Sequence, residues 1–354
     1  MGHLFAKKEY MTERERRRAR RRRLFRLRQR VIECLALAVL VALVAVPISL
    51  HNRPKEEPQP GVSALDCSVE EKHSSYPLYT SHSKAMPGDI DADYAVLVDV
   101  TENYTVASKG AAVRVYPASI TKVMTLLVAV ENITDFTETF TMTYEITDPL
   151  YVANATVAGF LNNETVPIED MLYGTILPSG ADACQALAQF VAGSEEAFVQ
   201  MMNDRVAQLG LVNTHFVNTS GLHDPDHYTT AEDMAVIMRE AMQNEHCRQV
   251  LSTYQYTTTK TPQNPEGILL TSTMFSRMYG TEPEGATVIA GKTGYTTEAG
   301  HTMVSYAEGE DGHHYILVTL KGSNRWKATY DAINIYSAFC SVEQQDDKKT
   351  SATD

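Results

Sequence analysis

The chain is poor in cysteine. It has five cysteines and a single tryptophan in 354 residues. Cys34 lies in an apolar run, and Cys67, Cys184, Cys247 and Cys340 are widely scattered. Four scattered cysteines do not make a disulfide framework, so the thiols are expected to be reduced and mostly buried. Cys184 reads as small core filler. Internal repeats are absent, which leaves a core built from non-repeating elements. No histidine pair has the H-E-x-x-H spacing of a helix-borne zinc site. His223 and His227 in HDPDH, His246, His301 and the His313-His314 pair read as exposed loop histidines rather than zinc ligands.

Acidic residues are scarce at one end. Residues 1–30 hold two lysines and eleven arginines against three glutamates, a net of +10. The whole chain is −13, so the remainder carries −23. Charge is then almost missing from Val31 to Leu50, VIECLALAVLVALVAVPISL, where Glu33 alone is ionisable to a carboxylate. Twenty residues span roughly 30 Å as a helix, the thickness of a bilayer core. The basic flank precedes the span, so the positive-inside rule keeps the N-terminus cytoplasmic and sends the bulk of the chain outside. An arginine run also suggests nucleic acid, but its place beside an apolar span argues against that partner. No clean A-x-A site follows, which favours an uncleaved anchor over a signal peptide.

Residues 51–89 have scattered prolines, few aliphatics and little period, and read as a linker. Periodicity begins after them. DYAVLVDVTENYTVASKG alternates around TENY, as an antiparallel hairpin does. Pro117 suits the first turn of a helix carrying Ser119 to Val130. PIEDMLYGTILPSGADACQALAQFVAG reads as two helices broken at Pro178-Ser179-Gly180. SEEAFVQMMNDRVAQLGL and TTAEDMAVIMREAMQN have helical spacing, the second opening on a threonine cap. GATVIAGKTGYT, GHTMVSYAEG and HHYILVTLKG read as three strands, followed by a last helix, NRWKATYDAINIYSAF, and a polar tail at 341–354. Strands at both ends of one domain, 90–340, predict an α+β fold. An antiparallel β-sheet is covered by helices and joined to an all-helical lobe, with one N-terminal transmembrane helix ahead of it.

Three short motifs occur in order. Ser119 and Lys122 are one helical turn apart and share a face; a desolvated lysine beside another cation is a competent base. Ser179 sits on a break between helices, where its bland reading is a helix cap. Lys292-Thr293-Gly294 lies in a strand, with the glycine open to close backbone approach. Each is weak alone. Together they are the Ser-x-x-Lys, middle-serine and Lys-Thr-Gly set of penicillin-binding proteins and class A β-lactamases. With PIEDMLYGTILPSGADA, MMNDRVAQLGLVNTHFVNTSGL, HYTTAEDMA and GKTGYTTEAGHTMV, the chain from about Asp91 to Phe339 resembles the serine-type D-alanyl-D-alanine carboxypeptidases, low-molecular-mass penicillin-binding proteins of β-lactamase/transpeptidase-like fold.

The resemblance implies roles. Ser119 would be the nucleophile that forms an acyl-enzyme with the penultimate D-Ala of a peptidoglycan stem peptide, and Lys122 would take its proton. Ser179 would pass a proton to the leaving D-Ala. Lys292 and Thr293 would bind the terminal carboxylate, with Gly294 letting the substrate approach. The backbone N–H groups of Ser119 and Tyr295 would form the oxyanion hole. Arg325 would lie near the carboxylate subsite. β-Lactam antibiotics would be covalent inhibitors.

One position departs from the family. Its middle triplet usually ends in Asn, and here it is Ser179-Gly180-Ala181, which weakens the contacts an amide would make. A non-hydrolytic penicillin- or peptidoglycan-binding protein is the alternative that this departure raises. A β-lactamase would want Ser-Asp-Asn and a downstream Glu-x-x-Leu-Asn, and neither is present. Many of the family attach by an amphipathic C-terminal helix after a β-rich domain; neither is expected from this sequence, and the N-terminal span is the expected anchor.

Overall fold

The run YAVLVD, expected to alternate, is apolar on both faces because both are covered. Ala95 and Leu97 enter one apolar cluster and Val96 and Val98 another. In the computed structural model, which describes residues 76–340, this run is a central strand of the main sheet. The strands are β1 (Lys84–Ala85), β2 (Tyr94–Asp99), β3 (Tyr104–Lys109), β4 (Thr139–Thr141), β5 (Thr165–Pro167), β6 (Gln255–Thr257), β7 (Leu269–Thr271), β8 (Ala286–Thr296), β9 (Gly300–Gly309) and β10 (His314–Gly322). The six-stranded sheet runs β1-β3-β2-β10-β9-β8, and β4-β5 and β6-β7 are small hairpins.

β2 pairs antiparallel with β10, Val96 opposite Val318, so the first hairpin and the closing strands share one sheet as expected. The pairings are antiparallel except at β1, which lies parallel to β3. β1 and the Leu78–Tyr104 bridge fall inside the stretch read as a linker, so the chain joins the sheet before residue 90.

The helices are α1 (Lys122–Asn132), α2 (Tyr144–Val152), α3 (Ile168–Ile176), α4 (Ala181–Ala192), α5 (Glu195–Gln208), α6 (Ala231–Gln243), α7 (Glu245–Leu251), α8 (Phe275–Met278) and α9 (Arg325–Cys340). α9 covers one sheet face through Ala332, Ile335 and Tyr336 against Leu97, Met303 and Leu317. α6 covers the other. α1 is buried from Lys122 to Val130 with no polar side, which marks a helix enclosed by others. α3, α4, α5, α6 and α7 surround it, and this is the predicted helical lobe.

α5 and α6 begin as expected, with Ser194 and Thr230 accepting from the Ala197 and Asp233 N–H groups. The break between α3 and α4 falls at Leu177–Gly180. The helix at Ser119 differs from expectation. Ala118–Thr121 is a 3₁₀ turn, and α-helix starts only at Lys122, because Ala118 has a left-handed backbone, φ +51°. The predicted transmembrane helix, residues 31–50, the basic segment 1–30 and the tail 341–354 lie outside the described residues. Among the described residues no helix is long and apolar enough to cross a membrane.

Candidate active site

The site begins with the turn before α1. It leaves Ser119 partly exposed and seals Lys122, which is 2% exposed. Lys122 Nζ donates to Ser119 Oγ at 3.1 Å and to the Ser220 carbonyl at 2.5 Å. Burial lowers its pKa, opposed by the nearby Cys184 and Asp182. An amine that gives up its proton easily, hydrogen-bonded to a hydroxyl, can accept the hydroxyl's proton.

The segment holding the Ser220 carbonyl is itself fixed. Asn218 Oδ1 accepts from the Gly221 N–H at 2.7 Å, and Glu195 accepts from Thr219 N–H and Oγ. Gly221, φ +79°, presses its Cα side on the Ala118 carbonyl, where a Cβ would collide with backbone. Such a position admits only glycine.

Ser179 lies on the break before α4, the helix whose Asp182 and Cys184 act on Lys122. It has a left-handed backbone, φ +73°, and its Oγ is buried without a hydrogen-bond partner. Its loop is tied down by buried Asp182, whose carboxylate accepts from the Ala158, Gly159 and Phe160 N–H groups. Ala181 is buried, and its N–H donates to the Thr156 carbonyl at 2.8 Å. Its methyl offers Lys122 no hydrogen bond, and the Ser220 carbonyl is what holds the amine.

β8 closes the other side. A Cβ on Gly294 would stand 2.7 Å from the Ser119 nitrogen and 2.5 Å from Thr302 Oγ. The strand therefore lies directly on the Ser119 amide only because residue 294 has no side chain. Lys292 is 1% exposed, and its Nζ donates to the Thr293 carbonyl at 2.7 Å. Burial, then repulsion from Lys122 and Arg277, holds it well below the ordinary lysine range. Thr293 Oγ shares a hydrogen bond with Thr273 Oγ at 2.8 Å. The Tyr295 side chain is exposed and stacks on His301, 4.4 Å between centroids. Arg325 is exposed at the first turn of α9, its guanidinium 5.7 Å from the Trp326 ring.

Two groups here escaped the sequence. Arg277 on α8 is half-buried, its pKa lowered by burial and by Arg325. His301, read as an exposed loop residue, sits opposite Tyr295 in β9 and feels both arginines. Neither lies in a motif; α8 and β9 bring them in. The exposed-loop reading also fails for His227, which is 2% exposed, for His246, stacked on Phe136, and for His313, bonded to Asp99. His314 is half-buried, and of the six histidines so read His223 alone is exposed. Cys184, Cys247 and Cys340 are buried and free, and burial raises all three thiols. Among the described residues no three metal-binding side chains gather.

Lys122, Lys292, Arg277 and Arg325 thus form a run of cations, each feeling the next, that starts beside the Ser119 hydroxyl, and such a field attracts an anion. Residues 80–324 match the family described as D-alanyl-D-alanine carboxypeptidase, peptidase S11. D-alanyl-D-alanine carboxypeptidase DacF of Bacillus subtilis is 30% identical over 224 residues, 62% of this chain and 54% of that protein. DacA of Escherichia coli K12 is 32% identical over 256 residues, 68% and 59% of the two chains. The chain thus spans little more than half the length of these relatives. The crystal structure of the Streptomyces K15 DD-transpeptidase superposes with a TM-score of 0.63 at 28% identity, covering 71% of this chain and 97% of that one. Penicillin-binding protein 5 from Haemophilus influenzae gives 0.64 at 26%, covering 72% of each. The chain belongs to the D-alanyl-D-alanine carboxypeptidase family, peptidase S11.

Proposed function

We propose that this protein is a serine D-alanyl-D-alanine carboxypeptidase that removes the terminal D-Ala of peptidoglycan stem pentapeptides. The observation that carries the reading is the 3.1 Å hydrogen bond from Lys122 Nζ to Ser119 Oγ, beneath a strand whose glycine touches the Ser119 amide.

The terminal carboxylate binds Lys292 and Thr293, with Arg277 and Arg325 adding positive field. Before substrate arrives, Lys122 and Lys292 repel each other and resist holding two protons. A carboxylate beside Lys292 restores that proton and leaves Lys122 as the neutral amine. Ser119 Oγ attacks the carbonyl carbon of the penultimate D-Ala as Lys122 takes its proton. The N–H groups of Ser119 and Tyr295 stabilise the oxyanion; losing one such donor costs ~10²–10³ in rate in enzymes that use one. The C–N bond breaks as Ser179 gives its proton to the departing amine and takes in turn the one Lys122 accepted, which leaves Lys122 neutral again. Water, deprotonated by Lys122, then hydrolyses the ester. An amine attacking the same ester instead of water gives transpeptidation. β-Lactams acylate Ser119 by the same route as their ring C–N bond opens.

The layout proposed is a basic cytoplasmic segment 1–30, an anchor at 31–50, a linker to 89, an extracytoplasmic catalytic domain 90–340 and a tail 341–354. Incubation with a fluorescent penicillin and then with a D-Ala-D-Ala peptide tests the reading. Labelling that disappears in Ser119→Ala, together with D-Ala release, is expected. Labelling without release favours the non-hydrolytic binder, and absence of labelling rejects both.

A further inference from the structure

The His227 ring is shut off from solvent, yet its hydrogen bonds end on the turn that carries Ser119. The ring is 2% exposed and packs edge-on against Phe216, 5.4 Å between centroids. The Val217 N–H points at Nδ1 at 3.1 Å. A backbone N–H only donates, so Nδ1 accepts and the ring's single proton sits on Nε2. Nε2 lies 2.8 Å from Thr121 Oγ. The Thr121 hydroxyl, having accepted there, donates to the Ala118 carbonyl at 2.8 Å. Every donor is used once, and the sequence of bonds runs one way, from Val217 through His227 and Thr121 to Ala118.

We infer that His227 is a positioning residue, acting through Thr121 to hold the left-handed Ala118 turn that presents Ser119. This rests on Ser119 being the acylated residue. Ala118 has φ +51° without being glycine, a conformation that persists only where its surroundings over-determine it. The Thr302 hydroxyl holds the Pro117 carbonyl at 2.9 Å from β9, and Gly221 presses on Ala118 from below. β8 lies on the Ser119 amide at Gly294, and the His227–Thr121 chain adds the hydrogen bond that fixes the Ala118 carbonyl direction.

A protonated ring would set a second N–H against that of Val217. Burial pushes the His227 pKa down to about 4; Asp224 opposes this, while His215, Lys122 and His223 add to it. The ring therefore stays neutral across the neutral range, and the chain is a fixed strut there rather than a switch.

The test uses the full-length protein in detergent and the rate constant of acylation by a fluorescent penicillin, taken per folded molecule. Thr121→Val keeps the shape and removes the hydroxyl; His227→Ala removes the ring. Each is expected to slow acylation about 10- to 100-fold, the range that small misplacement of a reacting group produces. The double variant should be no slower than the slower single one, and Thr121→Ser should restore most of the rate. Singles that acylate at the wild-type rate, or a double whose losses multiply, overturn the inference. Long-range ¹H–¹⁵N NMR on ¹⁵N-histidine protein gives an independent reading. The Nε2–H tautomer is expected at neutral pH, and an Nδ1–H tautomer overturns the inference. Wild-type protein that is never acylated rejects the Ser119 reading instead, while the tautomer still decides the hydrogen-bond chain.

Discussion

Two buried lysines set the pH behaviour of the site. Lys122 and Lys292 both lie below the ordinary lysine value in the fold. Because the unfolded chain binds their protons more readily, their penalty on stability shrinks as pH rises toward the ordinary lysine pKa of about 10.4. Lys292→Met is therefore expected to be more stable than wild type by about 1–4 kcal/mol at neutral pH, with the gap closing in alkaline melts, while acylation falls. A gap that widens with pH would contradict the sign. For catalysis one amine must be neutral and the other charged, so kcat/KM is expected to rise and then fall with pH, a bell whose limbs belong to the lysine pair and lie below the ordinary lysine range. Lys122→Arg should lose ~10²–10⁴ of that rate, since a guanidinium does not give up its proton. At the glycines the argument is steric. Gly221→Ala forces a Cβ into the Ala118 carbonyl, and more than about 3 kcal/mol of stability is expected to go, read from denaturant midpoints.

At the level of elements, the break between α3 and α4 carries the most consequence. It puts Ser179 at the head of α4, and Asp182 in the first turn of that helix pins residues 158–160 with three N–H bonds. Asp182→Ala leaves those donors unpaired in the interior. A loss of about 1–3 kcal/mol per stranded group is expected, together with slower acylation, since the Ser179 loop loses its tether. Thermal melts and penicillin labelling rates check the two effects separately. The enclosed helix α1 gives the contrasting case: Leu126→Ala should cost about 2–5 kcal/mol, as cavity-forming changes do, and leave the pH profile unchanged. The β6–β7 hairpin is tied to the same lobe by buried Asp170, which accepts from the Tyr256 hydroxyl at 2.6 Å and the Thr259 N–H at 2.8 Å.

For the whole molecule, the architecture explains how the Ser119 turn and the Lys292–Gly294 strand, far apart in the chain, come to touch. β2 and β10 join the two ends of the domain in one sheet, which brings edge strand β8 against the turn before α1. α4 packs against α1 from the lobe, and its Asp182 and Cys184 act on Lys122. The charge layout of the full chain predicts anchoring by residues 31–50. Full-length protein should stay with membranes after alkaline carbonate washing, whereas a chain lacking residues 1–50 should wash free and still take penicillin. A full-length chain that washes free would reject the anchor.

Periodicity alone determined the hairpin at 94–109, the α3–α4 break, α5, α6, the three closing strands and α9, because each follows the burial of its own faces. The ordered motifs, helped by a family resemblance, gave Ser119, Lys122, Ser179 and Lys292. Only the tertiary structure decided what depends on neighbours distant in the chain. Arg277 joins the site because α8 lies beside β8, and His301 because β9 pairs with it. Ser220 holds Lys122 through a carbonyl, a group every residue carries and no pattern marks. His227 was misread because a polar residue in a polar loop has no period, and its burial is set by Phe216, Val217 and Thr121 folding around it.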